Sequence, residues 1–225
     1  KIDLKKRNSL INLPYMELVN SSGDELLISQ SNACLSFLGR KFNMFGKNEV
    51  EESKCEQLLL ETNDLRSVIT SFAYTHYKNK DLENEAAKEV FTKAFQDNNA
   101  GKIQKFENWM KENQDDKNYF LINNETTIPD FNLFDILDFY VEFLQYYNFA
   151  TDKNKKNIFN ELGYPNISKF YNNFIQLPKM QKYLNSILYT LPYTNKSARF
   201  GSGIKGDTWN HTSQVDETPA ELIIN

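Results

Sequence analysis

The chain has 225 residues, 40% hydrophobic and 25% charged, enough to bury a real core as one large domain or two small ones. Its net charge of −4 gives no basic footprint for nucleic acid, and no apolar run approaches the roughly 20 residues that span a bilayer. The two cysteines, Cys34 and Cys55, lie outside any CxxC spacing, which excludes a disulfide framework. Both read as buried thiols of a cytoplasmic or other reducing compartment. His76 and His211 stand apart from each other and from the cysteines, so no metal-ligand set is visible.

The opening, Lys1 to Arg7, has neither a cap nor a clear period and reads as the middle of a longer polypeptide with no signal peptide. Tyr15-Met16-Glu17-Leu18-Val19 alternates as a half-buried strand does; Asn20 to Asp24 is turn chemistry, and Glu25-Leu26-Leu27-Ile28 returns. A helix is predicted over 31–42, with Cys34, Phe37, Leu38 and Phe42 on one face, and Gly46 closes a short linker. From about residue 48 onward no convincing strand remains. A long helix over 49–77 starts acidic, as the helix dipole prefers, and carries Leu58, Leu59, Leu65, Val68, Ile69 and Phe72 at helical spacing. A second, over 84–112, carries Val90, Phe91, Phe95, Phe106 and Trp109, with Asn98 to Gly101 as a point of interruption. A third and most apolar helix runs over 130–148, preceded by Thr127 as N-cap with Asp130 three residues on as its reciprocal partner, a structural cap. Shorter helices over 166–176 and 178–188 begin behind Pro165 and Pro178, where a missing N–H costs little. The segment from Asn195 is rich in small polar residues and reads as an extended or partly disordered tail.

Four landmarks in this order carry a family resemblance: Asn12-Leu13-Pro14-Tyr15, Gln30-Ser31-Asn32-Ala33, Glu61-Thr62-Asn63-Asp64, and the cap leading into Asp130-Phe131-Asn132-Leu133. With Tyr164-Pro165-Asn166-Ile167, the Leu177 to Leu184 stretch and Thr208-Trp209-Asn210, the chain resembles the cytosolic glutathione transferases, most of all their Mu class, from the third strand of the family's layout onward. The resemblance implies an α/β thioredoxin-like domain, incomplete here, over 1–47, an all-helical domain over 48–194, and the tail over 195–225.

It also implies roles. Leu13 would pair its main chain with the cysteinyl part of glutathione, behind a cis-proline at Pro14, and Asn12 would sit near the glycyl end. Gln30 and Ser31 would hold the γ-glutamyl carboxylate at a helix N-terminus. Asp64 would reach the γ-glutamyl amine across a dimer interface, and Tyr74 would assist a hydrophobic electrophile. Read without the family, Pro14 starts a strand, Ser31 caps a helix, Asp64 is a solvated acid and Tyr74 packs.

The family's thiol-activating tyrosine would lie upstream of Lys1, as would most of the grip on the glycyl carboxylate, although Lys1 or Lys5 is a candidate for part of it. Leu10 stands where Mu enzymes carry an aromatic key for the partner subunit. The implied activity is conjugation of the glutathione thiolate to electrophiles, as a homodimer or within an assembly. The alternative is an inactive transferase-fold scaffold. Gly201 to Gly206 spells GxGxxG but lacks a preceding strand and a following helix, so it is rejected as a dinucleotide loop.

Overall fold

Residues 2–7, without periodicity in the sequence, form a short helix, α1 (Ile2–Arg7). Tertiary contacts supply what local pattern does not. Arg7, in its last turn, reaches Glu17 at 2.5 Å and Glu25 at 2.8 Å, one on each strand of the following hairpin. Asn8 Nδ2 donates to the Leu27 carbonyl at 3.0 Å. The hairpin pairs β1 (Tyr15–Val19) with β2 (Glu25–Ser29) antiparallel, Tyr15 opposite Ser29 and Val19 opposite Glu25. The structure, a computed structural model, describes residues 2–19, 22–75, 85–113, 119–146, 157–190 and 193–194.

Helix α2 (Ser31–Lys41) follows β2 directly and buries Cys34 and Gly39. Phe42, expected on its apolar face, is 42% exposed, because the helix ends at Lys41 and Phe42 no longer follows its period. Gly39 is buried for a steric reason. A Cβ there would meet Ile128 Cγ1 at 2.6 Å and Phe45 Cδ2 at 3.0 Å, so only glycine lets α2 sit this close to the entry of α5.

Helices α3 (Glu49–Thr75), α4 (Glu85–Asn113) and α5 (Ile128–Tyr146) make the bundle, with α5 against α2, α3 and α7 and α4 against α3 and α7. Helix α4 is not interrupted at Asn98–Gly101. Asn98 and Asn99 turn their side-chain Nδ2 groups back onto the Ala94 and Phe95 carbonyls at 2.7 and 2.8 Å, so a donor of each amide is used within the helix, while Asn99 Oδ1 is buried without a hydrogen-bond partner. Phe95, Ile103, Phe106 and Met110 are buried, whereas Val90, expected among them, is 71% exposed. Helix α5 begins two residues earlier than expected, at Ile128, with Pro129 in its first turn.

Helix α6 (Ile158–Glu161) is a single turn that sequence periodicity is too short to reveal, held by buried Ile158 and Phe159. Helices α7 (Pro165–Gln176) and α8 (Pro178–Leu184) both begin at a proline. The predicted final helix stops at Leu184 and gives way to a 3₁₀ turn, Ile187–Thr190. His76, His211, the Gly201–Gly206 motif and Thr208-Trp209-Asn210 lie outside the described residues.

Two buried acids fix helix starts. Asp130, fully buried, accepts from Leu121 N at 2.8 Å on Oδ1 and from Thr127 N and Thr127 Oγ1, each at 2.7 Å, on Oδ2. Glu107 of α4 accepts from the backbone N–H groups of Asn166 and Ile167 at 3.1 and 3.0 Å and from Asn166 Nδ2 at 2.6 Å, capping α7 from another helix. Glu107→Ala leaves those donors buried without an acceptor and is expected to cost about 3 kcal/mol in urea denaturation, with Glu107→Gln costing less.

Burial raises the Asp130 carboxyl to about 6, more than the hydrogen bonds from Leu121 and Thr127 lower it. Between about pH 4 and 6 the native state therefore keeps a proton that the unfolded chain has released, and the contribution of Asp130 to stability falls as pH rises through that window, by roughly 3 kcal/mol in all. Asp130→Asn removes the titration and one acceptor. The expected outcome is a substitution penalty larger at pH 4 than at pH 7, read from denaturation midpoints; an equal penalty at both would contradict the shift.

Candidate ligand site at the hairpin–helix junction

The loop from Asn8 to Pro14 is shaped by short local bonds. Asn8 Oδ1 accepts from Leu10 N at 2.9 Å, Asn8 O accepts from Ile11 N at 3.1 Å, and Ser29 Oγ of β2 donates to Leu10 O at 3.0 Å. The loop ends in a cis Leu13–Pro14 peptide bond. One residue later the β1–β2 ladder begins with Tyr15 opposite Ser29, so Pro14 and Gln30 are the residues just beyond its final rung.

Gln30 is the turning point between β2 and α2. Its backbone has φ 78° and ψ 125°, outside the regions an L-residue prefers, at a cost on the order of 1–3 kcal/mol. Gln30 O accepts from Cys34 N at 3.0 Å, but no side chain caps the helix. The first N–H groups of α2 thus open toward an exposed Ser31, at the positive end of the helix dipole.

Beside the loop, a groove of about 540 Å³ is lined by Leu4, Lys5, Ile11, Asn12, Leu13 and Tyr15. Leu13 is 71% exposed. Its backbone N–H is already engaged by Asn12 Oδ1 at 2.9 Å, so a ligand pairing with Leu13 must first displace the Asn12 amide. Both groups are exposed, which keeps that exchange inexpensive. Lys5 brings a cation to the groove through the short helix α1, which the local pattern of the sequence did not reveal.

The structure thus brings Asn12, Leu13 and Pro14 close in register to Gln30 and Ser31. Asp64 and Tyr74 lie further along α3. Asn32 Nδ2 of α2 donates to Leu59 O at 3.3 Å, and Asp64 is five residues, about 7.5 Å of helix axis, beyond that contact. Asp64 points toward α4, where its carboxylate takes Lys102 Nζ at 3.3 Å, beside a parallel Glu61–Lys105 pair at 3.0 Å. Tyr74 is half-buried near the end of α3, roughly 15 Å of axis from Asp64.

Neither cysteine has the surroundings of a reactive thiol. Cys55 is fully buried, and burial, with Asp130 nearby, pushes its thiol up to about 12. Burial raises the Cys34 thiol as well. Among the described residues, no group of three or more His, Cys, Asp or Glu could hold a metal ion, and no helix is long and apolar enough to cross a membrane.

Residues 63–187 match the family Glutathione S-transferase, C-terminal domain, more than half of the chain. The chain belongs to the glutathione transferase family. Human glutathione S-transferase P is 30% identical over 123 residues, 55% of this chain and 53% of that protein, and a glutathione S-transferase of Dirofilaria immitis is 29% identical over 116 residues, 52% and 50%. The chain spans about half the length of these curated relatives.

Among solved structures, the Onchocerca volvulus Pi-class glutathione S-transferase superposes with a TM-score of 0.61 at 20% identity, and the glutathione S-transferase Blo t 8 with 0.63 at 19%. Each alignment covers 88% of this chain and 81% of the other. The architecture is that of a glutathione transferase: a small two-stranded part of a thioredoxin-like unit, then a helical bundle. Where the names of these relatives give a class it is P or Pi, so the Mu resemblance drawn from the sequence gains no support from them.

The backbone at Gln30 yields a direct test. Gln30→Gly is expected to stabilise the free protein by roughly 1 kcal/mol, since glycine adopts this φ without a Cβ penalty. A lower midpoint in chemical denaturation would show that the Gln30 conformation is not strained.

Proposed function

We propose that this protein binds glutathione at the junction of the 8–14 loop, β2 and α2, and contributes to conjugating its thiolate to hydrophobic electrophiles. The observation that carries the reading is that Leu13 and Pro14 come into register with the outlying backbone of Gln30 at an uncapped helix mouth, within a chain of this family. In this reading the Leu13 main chain pairs with the cysteinyl part of the ligand, and Gln30, Ser31 and the first N–H groups of α2 hold the γ-glutamyl carboxylate. Asn12 and Lys5 face the glycyl end. Tyr74 serves the electrophile side.

Asp64 acts on the γ-glutamyl amine of a site shared with a second subunit, which requires a homodimer. The reaction proceeds by holding a polarised thiolate and an electrophile in one cleft. The domains divide near residue 47, the class is left unassigned, and the compartment is a reducing one in keeping with two free cysteines.

A second reading is a transferase-fold subunit that scaffolds a larger assembly. The exposed apolar side chains around the hairpin, Leu10, Leu13, Val19 and Leu26, favour it. Titration calorimetry of the natural full-length polypeptide with glutathione separates the two. Expected are saturable binding and a roughly tenfold weaker Kd for both Gln30→Ala and Ser31→Ala, equivalent to about 1.4 kcal/mol each. Absence of heat at millimolar glutathione, with the fold intact, would reject the transferase reading and leave the scaffold.

A further inference from the structure

Asp138 sits on α5, 1% exposed, and its carboxylate is a meeting point of phenols from distant parts of the chain. Tyr171 of α7 donates to Oδ1 at 2.5 Å. Tyr189 of the 3₁₀ turn donates to Oδ2 at 2.9 Å, and Tyr193, just beyond the turn, donates to the same oxygen. A carboxyl group is costly to bury without hydrogen-bond partners, and these three hydroxyls supply partners to both of its oxygens.

The rings are held as well as the hydroxyls. Tyr193 stacks on Phe139 with centroids 5.0 Å apart, and Tyr189 meets Tyr183 of α8 edge-on at 5.6 Å. Asp135 and Glu142 flank Asp138 on the same face of α5, and Asp135 takes Arg66 Nη2 at 2.5 Å. Burial first, and then Asp138, raises all three phenols, so each keeps its proton and remains a donor.

The turn also has local hydrogen bonds, from Ser186 N to Tyr183 O and from Tyr189 N to Ser186 O, at 2.9 and 3.2 Å. Its apolar side chains Ile187 and Leu188 are 65% and 45% exposed and bury little area. Among the bonds described for the turn, the long-range ones from Tyr189 and Tyr193 go to Asp138.

We infer that Asp138 is a latch that fastens the Ile187–Thr190 turn and Tyr193 to α5, and that this part of the fold opens as a local unit while α5 and α7 stay folded. The division of labour lies in the two oxygens. Oδ2 holds the turn, whereas Oδ1 holds α7, which the Glu107 cap and its own buried face secure independently. Opening bares Phe139 and the acidic face of α5.

Hydrogen exchange on the full chain tests this, comparing wild type with Tyr189→Phe/Tyr193→Phe and with Tyr171→Phe. The phenylalanines keep ring volume and remove only the hydroxyls. Expected is about tenfold faster exchange of the Ile187–Thr190 amides in the double variant, with the Leu133–Leu144 amides of α5 changed by less than about twofold. Tyr171→Phe is expected to leave the turn at its wild-type rate. Tyr193→Phe alone, expected to accelerate the turn by roughly threefold, serves if the double variant does not fold. The latch is overturned if the turn exchanges at the wild-type rate in the Tyr193 variant, or if the turn and α5 accelerate together.

Discussion

One buried carboxylate sets the frame from which the rest of the molecule is hung. Asp130 gathers the Leu121 amide and both donors of Thr127, and so fixes how the chain enters α5. Helix α5 is the most apolar element and touches α2, α3 and α7, so its entry point determines where their buried faces must go. The cost is visible in the acid itself, whose charge is disfavoured by the same burial that makes its hydrogen bonds strong. A buried acid with three donors is a positioning device first and a source of net stability second.

That entry point is tied to the candidate site by short steps. Ile128 N donates to Met44 O at 2.9 Å, joining the start of α5 to the linker that follows α2. Gly39 lets α2 close on Ile128, and the buried Cys34 holds the same helix against β2 through a contact with the Ile28 carbonyl. Once α2 is fixed at both ends, its N-terminus has to meet β2 within one residue. Gln30 is that residue, and its outlying backbone is where the mismatch between a strand direction and a helix direction is absorbed.

Much of this was legible in the residues. Alternation at 15–19 and 25–28, the apolar spacing of the long helices, the prolines at the starts of α7 and α8, and the Thr127–Asp130 spacing all carry periods or caps that local physics enforces. The misses share a cause. Helix α1 exists because Arg7 finds Glu17 and Glu25, and α6 because Ile158 and Phe159 fill the core; each is too short to show a period. Helix α4 passes through Asn98–Gly101 because two side chains bond back along it, which composition alone reads as a turn. In the candidate site, Leu13, Pro14, Gln30 and Ser31 stood out as residue types, but the groove beside Lys5 and the Asn12 amide on Leu13 N–H depend on where α1 and the loop fold back.

The sequence by itself determined the hairpin, the longer helices, their order and the family, because hydrophobic period, proline placement and capping chemistry act over a few residues and leave a local trace. Tertiary structure alone decided which acid caps which helix, that Asp64 turns to Lys102, and that Asp138 collects tyrosines 33, 51 and 55 residues away. Those choices follow from burial: a polar group removed from water must find its partner wherever the packed helices bring one, and nothing in the neighbouring sequence records where that is.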